Sequence, residues 1–375
     1  MVGGANRSLL MVLEGLKNKY HHQLLVIIPQ KGDFSQALDK INIPWMAFAF
    51  HEISSVCGAD FLNTARLIKN NLIAFKDRKT AKKISKLINA KFDLIYINDN
   101  SAYIGAFGAK HLKIPYVWHF RTLLRPRSRF VYGAQYIFGN CYRIIAISDS
   151  MKKMITTNEY MQLHKVVRIH NGIPLEKLVK SNQKRNHGMH FVICGRITQD
   201  KGHMDAIKEI GLLKNEGISD IVLHIVGAIP PLDSEYFCSL KNECSKLDIE
   251  KQVVFEGTRN DMSVFRETMN GELMCSVCEP FGRVTLEGMR SGLVVIGSNT
   301  GGTPEIINDG VTGLLYQQGN VEELAQKIKS VYADSELAKK LASNAFEFSR
   351  THFTPDANIS AINDILISAI QNKEV

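Results

Sequence analysis

The sequence predicts an α/β protein of two doubly wound domains, each built on a parallel sheet. Three observations carry that expectation. The chain has 375 residues, a length that suits two domains of ordinary size. Short apolar runs alternate with amphipathic segments, the pattern of parallel strands joined by crossover helices. A polar, basic stretch without periodicity, KSNQKRNHGMH at 180–190, divides that pattern into two similar halves.

The elements follow in order. GGANRSLLMVLEGL reads as a glycine turn that opens a helix. Strands are predicted at HQLLVIIPQ, FDLIYIND, PYVWHF, YRIIAIS and KVVRIHNG. A helix is predicted from Thr80 to Ala90, apolar at Ile84, Leu87 and Ile88 with lysines elsewhere. Past the linker, strands resume at HFVICGRI, IVLHIVGA, QVVFEGT, GELMCSV, LVVIGS and GLLY. The halves join near residues 172–190, which gives domains over 1–172 and 173–349. The remainder, about 350–375, holds Pro355 and the amphipathic run NISAINDILISAI, a helix expected to pack back on the first domain. A doubly wound domain normally opens with a central strand before its glycine turn. Here the glycines follow Met1 by one residue, so the first strand of the first domain is expected to be absent.

Hydrophobic residues make up 45% of the chain and charged residues 22%, the balance of a globular protein with a full core. No run approaches the ~20 apolar residues of a membrane-spanning helix, and the start lacks a secretory leader pattern. Seven scattered cysteines, an odd number, point to free thiols in a reducing, cytoplasmic compartment. Cys275 and Cys278 form an isolated C-x-x-C with no second ligand pair, and buried thiols are the expectation there.

Charge is unevenly placed. Residues 1–180 hold 27 Lys and Arg against 11 Asp and Glu, a net of +16, and the remainder carries −7. A basic half implies an anionic partner: a membrane surface, a lipid phosphate or nucleic acid. An RNA-binding sheet would interleave stacking aromatics with its cations, and no such spacing occurs, so nucleic acid is not expected. Peripheral contact with an anionic membrane is expected instead. The candidate face includes Lys76, Arg78, Lys79, Lys82, Lys83 and Lys86, with the arginines from Arg121 to Arg129, although no segment shows a clear apolar, membrane-facing stripe.

The segment richest in chemistry is EPFGRVTLEGMRSGLVVIGSNTGGTPEIINDGVTGLLY, from Glu279 to Tyr316. PFG reads as a turn and VTLEGMRSG as the helix it opens. The N–H groups at that helix start, around Gly282, Arg283 and Val284, suit sugar hydroxyls and a diphosphate. Glu287, within the first turns, is placed to accept from a ribose diol. SNTGGTPE is a second glycine-rich strand-to-helix turn. Upstream, Arg196 and Lys201 of CGRITQDKG lie near the carboxyl end of a strand, where open α/β sheets bind ligands. Two cations there suit a diphosphate that gains charge as it leaves. His119 ends an apolar strand, a position that is structural or functional on the residues alone. Arg121, Arg125, Arg127 and Arg129 follow it, either as a solvated loop or as an acceptor-phosphate site.

With these motifs in hand, the sequence resembles the retaining glycosyltransferases of family 4, which have the GT-B fold: two Rossmann-like domains facing across a cleft. The resemblance runs through the GGAN loop, the AIS strand end at Ala146 to Ser148, and NGI at Asn171 to Ile173. It continues through Gly195, Arg196, Lys201 and Gly202, the glycine of IVG, EGTRNDM, EPFGRVTLEGM and GGTPEII. It implies that Arg196 and Lys201 bind the donor diphosphate, Glu287 the ribose, and Glu279 the hydroxyls of the donor sugar. It implies that Phe281, Gly282 and Arg283 line the sugar pocket, that His119 faces the sugar, and that Gly3 and Gly4 approach the reacting groups. Some family members with the FGRVT wording act on capsule, exopolysaccharide or lipopolysaccharide sugars, so the resemblance leans toward a glycan or polyprenyl-phosphate-linked acceptor. No Asp-x-Asp occurs, so no metal and no other cofactor is expected, cations and helix ends taking that place.

Rival classes are weighed on the same residues. A dinucleotide-dependent oxidoreductase is excluded because no G-x-G-x-x-G follows a first strand. A nucleotide-sugar-binding protein with a degenerate acceptor domain and no turnover stays open, as do sugar phosphorylases and sugar-phosphate synthases that share the fold.

Overall fold

The computed structural model describes residues 3–56, 60–88, 92–124, 129–157, 161–174, 188–231 and 234–372. It divides into two compact units, Met1–Gly172 with Pro355–Val375, and Ile173–Thr354.

The first unit begins with α1 (Gly4–Asn18), β1 (Val26–Ile28), α2 (Asp33–Lys40) and β2 (Trp45–Ala47). The long helix α3 (Phe61–Leu87) follows, then β3 (Ile95–Asn98), α4 (Tyr103–Leu112), β4 (Tyr116–Phe120) and α5 (Ala134–Gly139). It continues with β5 (Arg143–Ala146), α6 (Asp149–Thr156) and β6 (Val166–Arg168). Each predicted strand forms, and β2 is an addition. The helix expected from Thr80 extends back to Phe61, where the Asp60 carboxylate caps it by accepting from the Asn63 N–H at 2.7 Å.

All strand pairs here are parallel, yet the sheet is in two pieces. Among the described residues β3, β4, β5 and β6 pair in sequence, while β1 and β2 pair only with each other. In the doubly wound order 3-2-1-4-5-6, the place between β1 and β3 belongs to a strand preceding α1. The two pieces still share apolar packing. Tyr96 of β3 packs against the cluster formed by Leu9, Leu13, Ile28, Leu38 and Ile43. β4 is buried along its whole length, which explains why PYVWHF reads as a continuous apolar run and not as an alternating one. Trp118 is enclosed by the rings of Tyr103, Phe120 and Phe138.

The second unit runs β7 (Met189–Cys194), α7 (His203–Asn215), β8 (Ile221–Val226), α8 (Glu235–Lys246), β9 (Val253–Gly257) and α9 (Met262–Glu267). It continues β10 (Gly271–Met274), α10 (Arg283–Arg290), β11 (Val294–Ser298), β12 (Leu314–Tyr316), α11 (Val321–Ala333) and α12 (Ser335–His352). Its sheet is unbroken and parallel, in the order β12-β11-β10-β7-β8-β9. Chain order reverses between β7 and β10, and that is the switch point at which such sheets bind ligands. Most of the linker, residues 175–187, lies outside the described residues. The ends of the unit are tied by Arg290 of α10, whose guanidinium donates to the carbonyls of Ile173, Ser349 (2.9 Å) and Phe353 (3.1 Å).

The last helix, α13 (Pro355–Gln371), belongs to the first unit. Its Ile359, Ile362 and Leu366 share a buried cluster with Val12 and Leu16 of α1 and with Val117 and Ile145 of the sheet. Polar ties flank that cluster: Asn358 Nδ2 donates to the His170 carbonyl at 2.6 Å, and His22 bonds Asn363 at 2.7 Å.

The six described cysteines are all free. Cys275 is fully buried and Cys278 partly so, and burial pushes the Cys275 thiol up to about 12. Among the described residues, no helix is long and apolar enough to cross a membrane.

Candidate functional site

The site residues of the second unit converge on the switch point. β7 ends at Cys194, and the turn after it carries Arg196, which is exposed, and then a short 3-10 turn, Gln199–Lys201. The Asp200 carbonyl accepts from the Val277 N–H at 2.9 Å, which fastens this turn to the end of β10. Lys201 Nζ thereby stands 2.7 Å from Glu279 Oε2, with side chains 21% and 17% exposed. An ammonium and a carboxylate so shielded retain much of their field. One edge of this pair can meet a phosphate and the other a hydroxyl.

Glu279 opens the PFG turn, and the second glycine turn braces it. The Gly302 N–H donates to the Glu279 carbonyl at 2.7 Å. Gly301 has φ +59°, and a Cβ there would stand 2.3 Å from the same carbonyl oxygen, so only glycine lets the two turns nest. Gly282 has φ +102°, the left-handed geometry that swings the chain from the turn into α10. Phe281 is buried against the ring of Phe353. Arg283 and Val284 form the first turn of α10, whose N–H groups are not used by the helix's own ladder and present a positive end.

Glu287, one turn further on, is held by two guanidinium groups. Arg283 Nε donates to its Oε1 at 2.9 Å, and Arg266 Nη2 lies 3.3 Å from its Oε2. Arg266 is itself buried and grips Glu272 of β10 with two bonds, of 2.8 and 3.0 Å. Burial alone would weaken the Arg266 charge, but the adjoining Glu272 carboxylate outweighs it and holds the guanidinium above its ordinary range. Burial likewise pushes Glu272 up, opposed by Arg266. A carboxylate fixed this way keeps lone pairs for a diol while its rotamer is set from below.

The first unit holds a second polar cluster, at the carboxyl ends of its strands. His119 of β4 is fully buried. Tyr96 Oη bonds its Nδ1, and Arg121 Nη2 lies 3.4 Å from the same nitrogen. Arginine can only donate, so this network assigns Nδ1 as acceptor and places the proton on Nε2. Nε2 has no hydrogen-bond partner among the described residues. Burial first, and the Arg121 charge second, hold the imidazole well below its usual range, so it is neutral. Arg121 is not a solvated loop residue. It is buried, and it donates to Asn98 at 2.6 Å and to Asn171 at 2.8 Å. Arg125 and Arg127 lie outside the described residues. Arg129 is partly buried, and its Nε and Nη2 have no partner among the described residues. Gly3 and Gly4 stand at the exposed N-terminus of α1.

The structure thus brings together Lys201 with Glu279, and Arg283 with Glu287, while Arg196 stands exposed beyond β7. Sequence reasoning missed Arg266 and Glu272, the pair beneath Glu287, and Tyr96 and Asn98 beside His119. A glutamate inside the apolar strand GELMCSV was the available signal, because a charge in a buried strand needs a partner.

Two family profiles cover nearly the whole chain: Glycosyltransferase Family 4 matches residues 2–177, and Glycosyl transferases group 1 matches residues 176–348. The UDP-Gal:alpha-D-GlcNAc-diphosphoundecaprenol alpha-1,3-galactosyltransferase of Escherichia coli is 24% identical over 327 residues, covering 81% of this chain and 82% of that one. A capsular polysaccharide biosynthesis glycosyltransferase of Staphylococcus aureus is 27% identical over 217 residues, 54% of this chain and 55% of its own. The crystal structure of HepE from Anabaena in complex with UDP superimposes with a TM-score of 0.78 at 22% identity, covering 98% of this chain and 96% of that one. The fold is GT-B, and the chain belongs to the family 4, group 1 glycosyltransferases.

Proposed function

We propose that the protein moves a sugar from a nucleotide-diphosphate sugar to a glycan or polyprenyl-phosphate-linked acceptor, with retention of anomeric configuration and without a metal. The observation that carries this reading is the Lys201–Glu279 pair at the switch point, beside the N-terminus of α10. Lys201, Arg196 and the first-turn N–H groups of α10 take the diphosphate. Glu279 accepts from hydroxyls of the transferred sugar, and Glu287 accepts from the ribose. Phe281, Gly282, Arg283 and Val284 shape the wall between them. The neutral imidazole of His119 offers an Nε2–H, unpartnered among the described residues, that suits a sugar hydroxyl. Gly3 and Gly4 leave room for reacting groups at the start of α1. The relatives that act on a diphosphoundecaprenol-linked sugar and in capsule synthesis support a surface-polysaccharide role, and the UDP bound by the Anabaena protein supports a uridine donor.

In this reading the bond from the anomeric carbon to the phosphate oxygen breaks while the acceptor oxygen bonds to the same face. The leaving diphosphate takes the acceptor proton, and the cations stabilise the charge that develops on it. In this reading those cations take over the work of a divalent ion, so activity should survive EDTA. A thermal-shift screen against UDP-, GDP-, ADP- and dTDP-sugars tests the donor, since ligands that bind only the folded state raise its apparent stability. A shift with one nucleotide class, accompanied by transfer or slow donor hydrolysis, supports the proposal. A shift without any turnover favours a binding protein, and no shift with any of them refutes the site.

A further inference from the structure

The helix α3 is built with two faces of different purpose. Its inward face carries Asn70, Ala74, Asp77, Ala81 and Ile84, spaced by alternating fours and threes, all buried. A helix advances 100° per residue, so the side opposite that stripe is fixed by the same count. It carries Phe61, Ile68, Leu72 and Phe75, which are 85%, 60%, 63% and 56% exposed. Lys79, Lys83 and Lys86 continue the same line toward the carboxyl end, with Lys76 and Lys82 on its flanks, and all are exposed. Lys79 Nζ lies 4.8 Å from the centroid of the Phe75 ring, where the apolar and basic portions meet. The sole acidic residue in the helix, Asp77, is turned inward and bonded to His51. Beside the apolar portion stands Tyr132, 85% exposed, held to α3 by its N–H donating to Asn71 and its carbonyl accepting from Arg78.

Contiguous exposed apolar side chains of this size do not belong on a face that only meets water. A solvated helix would place polar residues opposite its buried stripe. The occupant is indicated by what surrounds the stripe. Lysines follow it without any exposed carboxylate on the helix, within a half of the chain that carries a net +16. A large apolar face bordered by lysines, with aromatic rings at its edge, matches the chemistry of an anionic lipid surface: acyl chains for the rings, headgroup phosphates for the ammonium groups.

We propose that the outer face of α3, from Phe61 to Lys86, is a docking surface for an anionic phospholipid membrane, lying in the interface plane with Phe61, Ile68, Leu72 and Phe75 inserted. This narrows the basic surface expected from sequence. Arg78 stacks on Phe107 and Arg121 is buried, so neither contributes. The surface complements the lipid-linked acceptor proposed above, but its test reads membrane binding and does not depend on turnover.

The test is co-sedimentation with vesicles of pure phosphatidylcholine and with vesicles of roughly one-third phosphatidylglycerol, at low and at physiological salt. The protein should pellet only with the anionic vesicles, and less at the higher salt. Lys79→Gln, Lys83→Gln and Lys86→Gln together should lower the partition coefficient about a hundredfold, from about fivefold per lysine. Phe61→Ser with Leu72→Ser should lower it at least about tenfold and abolish the part that survives physiological salt. Both variants should keep the donor-induced thermal shift, which separates this surface from the sugar site. Equal binding to neutral and anionic vesicles would overturn the proposal. So would serine variants that bind like the parent chain. A dimer in sedimentation velocity that the serine variant dissociates, with no vesicle binding by the parent, would assign the face to a second copy of the chain instead.

Discussion

The two units share one architecture and differ in the continuity of their sheets. In the second, six parallel strands run without a break, and the switch point between β7 and β10 gathers Lys201, Glu279, Glu287 and the start of α10. There Lys201 is paired with Glu279, and Glu287 with Arg283 and Arg266. In the first, β1–β2 and β3–β6 are separate sheets among the described residues, bridged by side-chain packing of Tyr96 and of α1. Its polar cluster at His119 is nonetheless as tightly networked as the one at Glu287. Preorganisation of a site therefore depends on the strands immediately beneath it, β3, β4 and the segment after β6, and not on the continuity of the whole sheet. The charge difference points the same way. The acidic unit carries the residues proposed to bind the anionic donor, whereas the basic unit displays part of its surplus, five exposed lysines, on the outside of α3.

Four perturbations would break or sharpen this comparison. The largest is Glu272→Ala. It strips the buried Arg266 of its main partner and should cost about 3–5 kcal/mol. Urea unfolding should show that loss in the second unit, with Glu287 loosened as a consequence. An unchanged midpoint would mean that the pair contributes nothing to the frame.

Glu287→Ala removes the carboxylate proposed for the ribose and should weaken nucleotide binding by about 1.5–3 kcal/mol. Calorimetric titration with the best nucleotide from the screen checks this, and unchanged affinity would take Glu287 out of the site. A version carrying an N-terminal β-strand of ~5–6 residues before Met1 should be more stable than the chain itself. The added strand would pair with β1 on one side and β3 on the other, each cross-strand neighbour contributing roughly 0.2–1 kcal/mol. An identical melting temperature would mean that the sheet loses nothing by its division.

The smallest effect concerns Glu209 of α7. It is fully buried without a side-chain hydrogen bond among the described residues, and burial holds its carboxyl well above the ordinary range. The folded chain therefore binds this proton more tightly than the unfolded chain. Its contribution to stability is greatest at acid pH, and it declines as pH rises from the unfolded glutamate value toward the raised folded one. Glu209→Gln should flatten that decline in a series of melts between acid and neutral pH. Equal pH dependence in both proteins would show that another group governs it.

Most strands were legible because buried parallel strands read as continuous apolar runs. β2 was not, since Trp45–Ala47 is three residues long and mostly exposed, with no periodicity to detect. The extent of α3 was hidden for the opposite reason. Apolar residues on both its inner and outer faces cancel the one-sided pattern by which amphipathic helices are recognised, and only burial separates core from surface. In the candidate site, Glu279, Glu287, Lys201 and Gly282 stood out because helix starts and strand ends constrain local sequence. The partners that set their geometry did not. Arg121 reads as one of four loop arginines until Asn98 and Asn171, distant in sequence, are seen to close on it.

The proposed use of the switch point rests on Lys201 meeting charge that develops on a leaving diphosphate. The most direct measurement is the steady-state kinetics of Lys201→Ala with the nucleotide sugar that the thermal-shift screen identifies. Loss of one preorganised cation should lower kcat by about 10²–10³-fold while KM for the donor changes much less, because the interaction strengthens only in the transition state. A variant that keeps the parent kcat, or that loses only donor affinity, would contradict the assignment.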